Sequence, residues 1–303
     1  MKLGIIGGAG LLGSTTAFCV GLKDVLEEIK LVDMKENIVK SHAMDMGQAL
    51  KPISRTLVSA ADFNDIGDCD IILITASLPE RSVANRNEYL AGNLSVITPI
   101  CQKIKENCNN SIVINATNPV DVFNYVVWKL LGWEKNKIIG FSANDSLRFK
   151  WAIEMVTGRE FQKLDGMCVG EHGDGQIRLY DQLKYEGKPL YLSAAEKNAV
   201  EEKTANWFTE YQALKSGRTS GWTSAVSLSS IIEAIATDRK SIIPCSTIID
   251  SSQYDISVSM GMPVRIGKNG VEEIVSVNYS DEQKQQMHDV AQKIRGLIDS
   301  IEF

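Results

Sequence analysis

Four groups of residues in this 303-residue chain have types and spacings suited to chemistry. The first is Gly8, Gly10 and Gly13, a Gly-x-Gly-x-x-Gly pattern that directly follows the short apolar run Leu3, Ile5 and Ile6. Glycines at that spacing permit a tight turn, let the backbone approach a pyrophosphate, and bring the following helix close to the strand. Leu11 and Leu12 open that helix, so their N–H groups and the partial positive charge of the helix end suit a bound phosphate. The second is Asp33, twenty positions after Gly13 and at the end of the run Ile29 to Val32. A carboxylate there can accept hydrogen bonds from both hydroxyls of an adenosine ribose and would repel a 2′-phosphate, which favours NAD over NADP. The third is His172, in Gly170-Glu171-His172-Gly173-Asp174-Gly175. Its imidazole titrates near neutrality, and the flanking glycines let the backbone crowd a ligand. Taken alone, a histidine in such a turn serves structure more often than catalysis. The fourth comprises Asp145 and Arg148, one helical turn apart on one face, with Arg86 in a polar loop. A guanidinium can grip a carboxylate through two parallel hydrogen bonds, but these same charges also suit a surface ion pair and a solvated loop.

The elements needed to position these groups are legible in the hydrophobic periodicity. After the second strand the spacing predicts a helix over 36–50, ended by Pro52, and a short strand near Leu57. The run 68–76 reads as a buried strand whose carboxyl end holds Thr75 and Ala76. A loop over 77–87, a helix over about 88–106, a strand over 112–115, the turn containing Asn118, a helix to Leu131 and a strand over 137–140 follow. Strands alternating with helices predict a doubly wound, parallel sheet of the Rossmann type, with ligands at the carboxyl ends of its strands. The pattern changes near residue 142, which divides the chain into a predicted dinucleotide-binding domain, 1–142, and a substrate-binding domain, 143–303. The second half reads as mixed α+β: a helix over 145–156, a strand over 167–169 leading to His172, and a hairpin near 185–188. Helices over 194–215 and 224–236, a strand pair turning at 268–270, and a helix from Asp281 complete it. A Ser/Gly-rich segment at 217–222 separates the two long helices and reads as a loop facing a ligand.

Composition excludes several partners. Thirty-eight acidic and thirty-two basic side chains give a net charge of -6 with no Lys/Arg block, so nucleic acid is not expected. No apolar run reaches membrane-spanning length and no signal pattern opens the chain, which points to a cytoplasmic protein with no membrane partner. The six cysteines form no CxxC pair and read as reduced thiols, with no metal site indicated.

The segments GGAGLLGSTTA, LVDM, ATNPVD, NDSLRF and GEHGD occur together in this order, and the chain resembles the L-lactate/malate dehydrogenase family from end to end. The resemblance implies an NAD-dependent enzyme that moves a hydride between the coenzyme and a small 2-hydroxy or 2-oxo acid. It further implies that His172 is the proton donor and acceptor, Asp145 its carboxylate partner and Arg148 the substrate-carboxylate anchor. Arg86 would be the loop arginine over the reacting carbonyl, and Asn118 a polar contact near carbonyl and nicotinamide. A homodimer or homotetramer is implied as well, and the helix over 36–50 carries apolar residues on more than one face.

The departures concern the substrate. Six positions before Arg86 the family typically has glutamine in lactate enzymes and arginine in malate enzymes, whereas this chain has Glu80, followed by Arg81. Ser220 occupies a small-residue position on the pocket wall, and Trp222 follows it, closer to the lactate pattern. The expected activity is lactate dehydrogenase-like. The alternatives are malate dehydrogenase, with Arg81 meeting the second carboxylate, and a dinucleotide-binding regulator without turnover.

Overall fold

In a computed structural model of the chain, the described residues are 1–78, 86–216, 220–250 and 256–303, with the side chains of 86–89 excepted. Glu80 and Arg81 therefore lie outside the described residues, as does the side chain of Arg86.

The first half alternates strands and helices: β1 (Lys2–Ile6), α1 (Leu11–Gly21), β2 (Glu28–Val32), α2 (Glu36–Leu50), β3 (Leu57–Ala60), β4 (Ile71–Ile74), α3 (Arg86–Asn107), β5 (Ile112–Asn115), α4 (Val120–Leu131) and β6 (Ile138–Gly140). These six strands are parallel in the order β3-β2-β1-β4-β5-β6. All four residues of β4 and of β5 are buried, as expected of strands covered by helices on both faces. The order reverses between β1 and β4, which opens a crevice above their carboxyl ends. Gly7 to Gly13, Asp33, Thr75 and Asn118 all follow the carboxyl ends of these strands.

The second half comprises α5 (Asn144–Thr157), β7 (Leu164–Asp165), β8 (Cys168–Gly170), β9 (Gln176–Arg178), β10 (Lys184–Tyr185), β11 (Lys188–Pro189), α6 (Ala194–Ala213), α7 (Trp222–Ala236), β12 (Ser241–Ile249), β13 (Val258–Gly267), β14 (Gly270–Ile274) and α8 (Asp281–Asp299). Ser193 and Ser280 start α6 and α8 with reciprocal capping boxes to Glu196 and Gln283, satisfying N–H groups that a helix start leaves open. β7, β10 and β11 form a small separate sheet. Its residues share a second core with α5 and α6, built on Phe149, Ile153, Leu183 and Val200.

One long strand was not expected. β12 runs for nine residues antiparallel to β13 and also pairs with β6 through Ser246 and Thr247, so the main sheet continues unbroken from the first half into the second. Pro244 obscures this strand in the sequence, since proline suits strand interiors poorly. It is tolerated because it lies outside the two-residue stretch that pairs with β6. The result carries β8, and the histidine loop after it, to the edge of the crevice over β5 and β6.

Candidate active site

The turn after β1 is built for close approach. Gly7 takes φ +98°, and a Cβ there would lie 2.6 Å from the Thr75 hydroxyl and 2.7 Å from the Ala76 nitrogen. The turn glycine is thus Gly7; the sequence pattern had given that role to Gly8, which has no positive φ and instead packs against Leu31. Gly13 meets its expected demand, because a Cβ on it would come within 2.4 Å of the Gly7 carbonyl. α1 starts after Gly10 without a side-chain cap, so the N–H groups of Leu11, Leu12 and Gly13 have no acceptor within the helix. They border a cleft of about 910 Å³ lined also by Asp33, Thr75, Ala76 and Phe141. Asp33 is pinned at the cleft: Oδ2 accepts the Ala9 N–H at 3.1 Å and Oδ1 the Lys35 N–H at 3.0 Å. Each carboxylate oxygen keeps acceptor capacity for a ribose hydroxyl. The free N–H groups, the glycine turn and the acidic residue at the second strand form a donor and acceptor set that fits NAD.

A second cavity, of about 1180 Å³, adjoins the first and shares Asn118, His172, Ser220 and Ser224 with it. Asn118 follows β5 at a cis bond to Pro119, and its carbonyl accepts from the amide of the fully buried Asn93 at 2.9 Å. The side-chain Oδ1 of Asn93 in turn accepts the Leu78 N–H at 2.9 Å, tying this turn to the end of the described segment 1–78. Sequence reading gave Asn93 no role, and a single polar residue inside a helix offers no signal of one.

α5 delivers Asp145 and Arg148. Asp145 is 4 % exposed and its Oδ2 lies 2.7 Å from Nδ1 of His172, whose ring is 15 % exposed. Burial by itself would lower the pKa of His172, but the charge and hydrogen bond of Asp145, joined by the charge of Asp121, raise it above the ordinary value. Such an imidazole holds a proton near neutrality and presents its other nitrogen as the exchangeable one. Nη1 of Arg148 stands 3.8 Å from Oδ1 of Asp145, and its guanidinium lies 4.3 Å from the centre of the Trp207 ring on α6. Arg178, also on the cavity wall, is engaged by Glu201 at 2.5 Å, and Glu201 accepts from Tyr180 as well.

The structure thus brings His172, Asp145, Arg148, Asn118 and Ser220 around one cavity and gathers Gly10, Leu11, Leu12, Gly13, Asp33, Thr75 and Ala76 around the adjoining cleft. Trp207 and Asp121 were missed by sequence reading. Asp121 ends the segment ATNPVD, and its signal in the sequence is an acid in an otherwise apolar helical run, 2 % exposed in the structure. Among the described residues no group of acidic, histidine or cysteine side chains is arranged to hold a metal, all six cysteines are unpaired, and no helix is long and apolar enough to cross a membrane.

Comparison with known proteins supplies the frame for this geometry. Residues 1–140 match the lactate/malate dehydrogenase NAD-binding domain, and residues 144–302 the α/β C-terminal domain of the same proteins. The malate dehydrogenase of Pelodictyon phaeoclathratiforme is 35% identical over 285 residues, covering 92% of this chain and 91% of its own. That of Chlorobium chlorochromatii is 32% identical over 311 residues, covering 99% of both. Among solved structures, Cryptosporidium parvum malate dehydrogenase superposes with a TM-score of 0.91 at 28% identity, covering 99% of both chains. The lactate dehydrogenase of the same organism, complexed with lactic acid and NAD, gives 0.90 at 27% identity, covering 99% of this chain and 98% of its own.

Proposed function

This chain belongs to the lactate/malate dehydrogenase family, and we propose that His172, Asp145, Arg148, Arg86 and Asn118 carry its reaction. It is an NAD-dependent 2-hydroxy acid dehydrogenase. The observation that carries the assignment of residues is the 2.7 Å contact of His172 with Asp145 at the place where the two cavities meet.

When bound, the coenzyme supplies or takes up the hydride at its nicotinamide. The chain supplies the rest. Reducing a 2-oxo acid requires a proton on the carbonyl oxygen, and the His172 imidazolium delivers it; in the reverse direction neutral His172 removes it. Asp145 accepts the Nδ1 hydrogen, fixes the tautomer and balances the charge of the protonated ring. Arg148 grips the substrate carboxylate, and Asn118 contacts the carbonyl. Arg86 stabilises the charge that develops on the oxygen. Gly10 and Gly13, with the Leu11 and Leu12 N–H groups, hold the pyrophosphate on the turn that Gly7 makes, while Gly8, packed on Leu31 and not among the cleft-lining residues, supports that turn from behind; Asp33 takes the adenosine ribose and Thr75 and Ala76 line the approach. A division near residue 142 separates the coenzyme domain, 1–142, from the substrate domain, 143–303.

The substrate we propose is a monocarboxylic 2-oxo acid such as pyruvate. Among the described residues the one carboxylate contact of Arg148 is the long one to Asp145, while the guanidinium of Arg178, on the wall of the same cavity, is neutralised by Glu201. The position that would read a second carboxylate holds Glu80. A second reading, oxaloacetate and malate with Arg81 turned inward, is favoured by the names of the relatives above. Following NADH consumption across a panel of 2-oxo acids separates the two. A kcat/KM for oxaloacetate above those for pyruvate and its longer neutral analogues would overturn the first.

We further propose a homodimer or homotetramer in the cytoplasm. Among the exposed apolar side chains are Phe18 on α1 and Leu22 just after it, Ile38 and Met44 on α2, and Trp222 and Val226 on α7. Met44 is 70% exposed and Trp222 63%, which suits a covered face. Light scattering on the purified protein gives the mass that decides this.

A further inference from the structure

We propose that Asp121 is a positioning residue for His172: its buried carboxylate fixes the backbone of the histidine loop and sets a second negative charge beside the imidazole. The proposal rests on the reading of His172 given above, although the measurement below does not depend on turnover.

Asp121 lies in the first turn of α4 and is 2 % exposed. Its Oδ2 accepts the backbone N–H of His172 at 2.7 Å, across 51 residues of sequence. Its Oδ1 accepts the Ser246 hydroxyl at 2.6 Å. Behind Ser246 stands a fully buried chain: Ser246 Oγ is 2.8 Å from Ser259 Oγ, and the Asn124 amide nitrogen is 2.9 Å from Ser259 Oγ and 3.2 Å from the Ser246 carbonyl.

A backbone carbonyl only accepts, so the group of Asn124 facing it is the NH2, which then donates to Ser259 as well. Ser259 is left to donate to Ser246, and Ser246 to Asp121. Every hydroxyl hydrogen points towards the carboxylate. A protonated Asp121 donating to Ser246 would reverse the relay and leave a buried hydroxyl hydrogen of Ser259 without its acceptor. The arrangement therefore selects the anion, even though burial pushes the Asp121 carboxyl up to about 6 against the opposing hydrogen bonds of Ser246 and His172.

The consequence for His172 is electrostatic and mechanical. Ser246 and Ser259 belong to β12 and β13, and α4 to the parallel half, so Asp121 ties the histidine loop to both. Among the described residues, the charged groups around the ring are Asp145 and Arg148 from α5, Asp121 from α4, and Glu171 beside it, the last clamped by Lys293 of α8. Removing the charge of Asp121 leaves Asp145 as the carboxylate in contact with the ring and should make protonation of His172 harder.

The chain contains three histidines, so His172 can be titrated directly by NMR in the intact protein, with the His172→Asn variant assigning its signal and His42 and His288 as internal references. Asp121→Asn should lower the His172 midpoint by about one pH unit while leaving both references in place. Ser246→Ala, which keeps the carboxylate but removes the proton it accepts, should move the midpoint the same way by less. Should Asp121→Asn fail to fold, Ser246→Ala decides. A His172 midpoint unchanged in the folded variants would overturn the proposal. The activity of His172→Asn reports separately on the catalytic reading: an active variant refutes that reading and leaves the titration result standing.

Discussion

The guanidinium of Arg148 and the indole of Trp207 face one another at 4.3 Å, joining the substrate cavity wall on α5 to the middle of α6. Trp207 itself stacks on Tyr211 at 5.2 Å with the rings inclined by 16°. A cation over an aromatic face is worth about 1 kcal/mol at a partly exposed site. The stack also limits the rotation of a long side chain whose plane, in the anchoring role proposed for Arg148, must match a carboxylate. Trp207→Ala should therefore raise KM for the 2-oxo acid about fivefold with a smaller change in kcat, and Trp207→Phe should restore most of the loss. Equal KM in Trp207→Ala and the unmodified enzyme would remove the indole from the anchor.

The raised pKa of His172 sets the pH dependence. With His172 in its proposed role reduction uses the protonated ring, so it should fall as pH rises through an apparent pKa above that of free imidazole. Oxidation uses the neutral ring and should rise through the same value. Steady-state profiles in both directions test this, and His172→Asn should lose on the order of a thousandfold in kcat/KM while binding NADH normally.

Coenzyme choice should follow Asp33, held at the cleft by the N–H groups of Ala9 and Lys35. NADH should bind far more tightly than NADPH, whose 2′-phosphate would meet a fixed carboxylate. Asp33→Ser removes the repulsion and should narrow the difference. Dissociation constants from fluorescence titration give the comparison without turnover, and equal affinities in the unmodified protein would contradict the assignment.

Substrate choice is expected to turn on Glu80. If Glu80 takes the discriminating position, its carboxylate would lie about 5 Å from the second carboxylate of oxaloacetate, and repulsion at an effective dielectric near 20 would amount to roughly 3 kcal/mol, on the order of a hundredfold in specificity. Glu80→Arg should create oxaloacetate reduction, and Glu80→Gln should improve pyruvate use modestly. If Arg81 is instead the inward residue, Arg81→Ala should abolish an oxaloacetate activity already present.

Much of this protein was legible in one dimension because its signals are local. The Gly8-x-Gly10-x-x-Gly13 pattern after a short apolar run, the strands closing at Asp33 and Asn115, and the helices over 36–50 and from Asp281 follow from periodicity and turn chemistry, which depend on neighbours a few residues apart. The NAD fold and the family were legible for the same reason. Long-range relationships were not. Gly7 carries the turn instead of Gly8 because Thr75 and Ala76, nearly seventy residues away, press against it. β12 forms through Pro244 because β13 and β6 are there to pair with it. Trp207 meets Arg148, and Asp121 reaches the His172 backbone and Ser246, only once separate elements have packed. Sequence alone determined which kinds of side chain are present and which local elements carry them. The tertiary structure decided which charges are buried, which partners compensate them and which proton each can hold, since burial and electrostatic coupling are properties of distance in space.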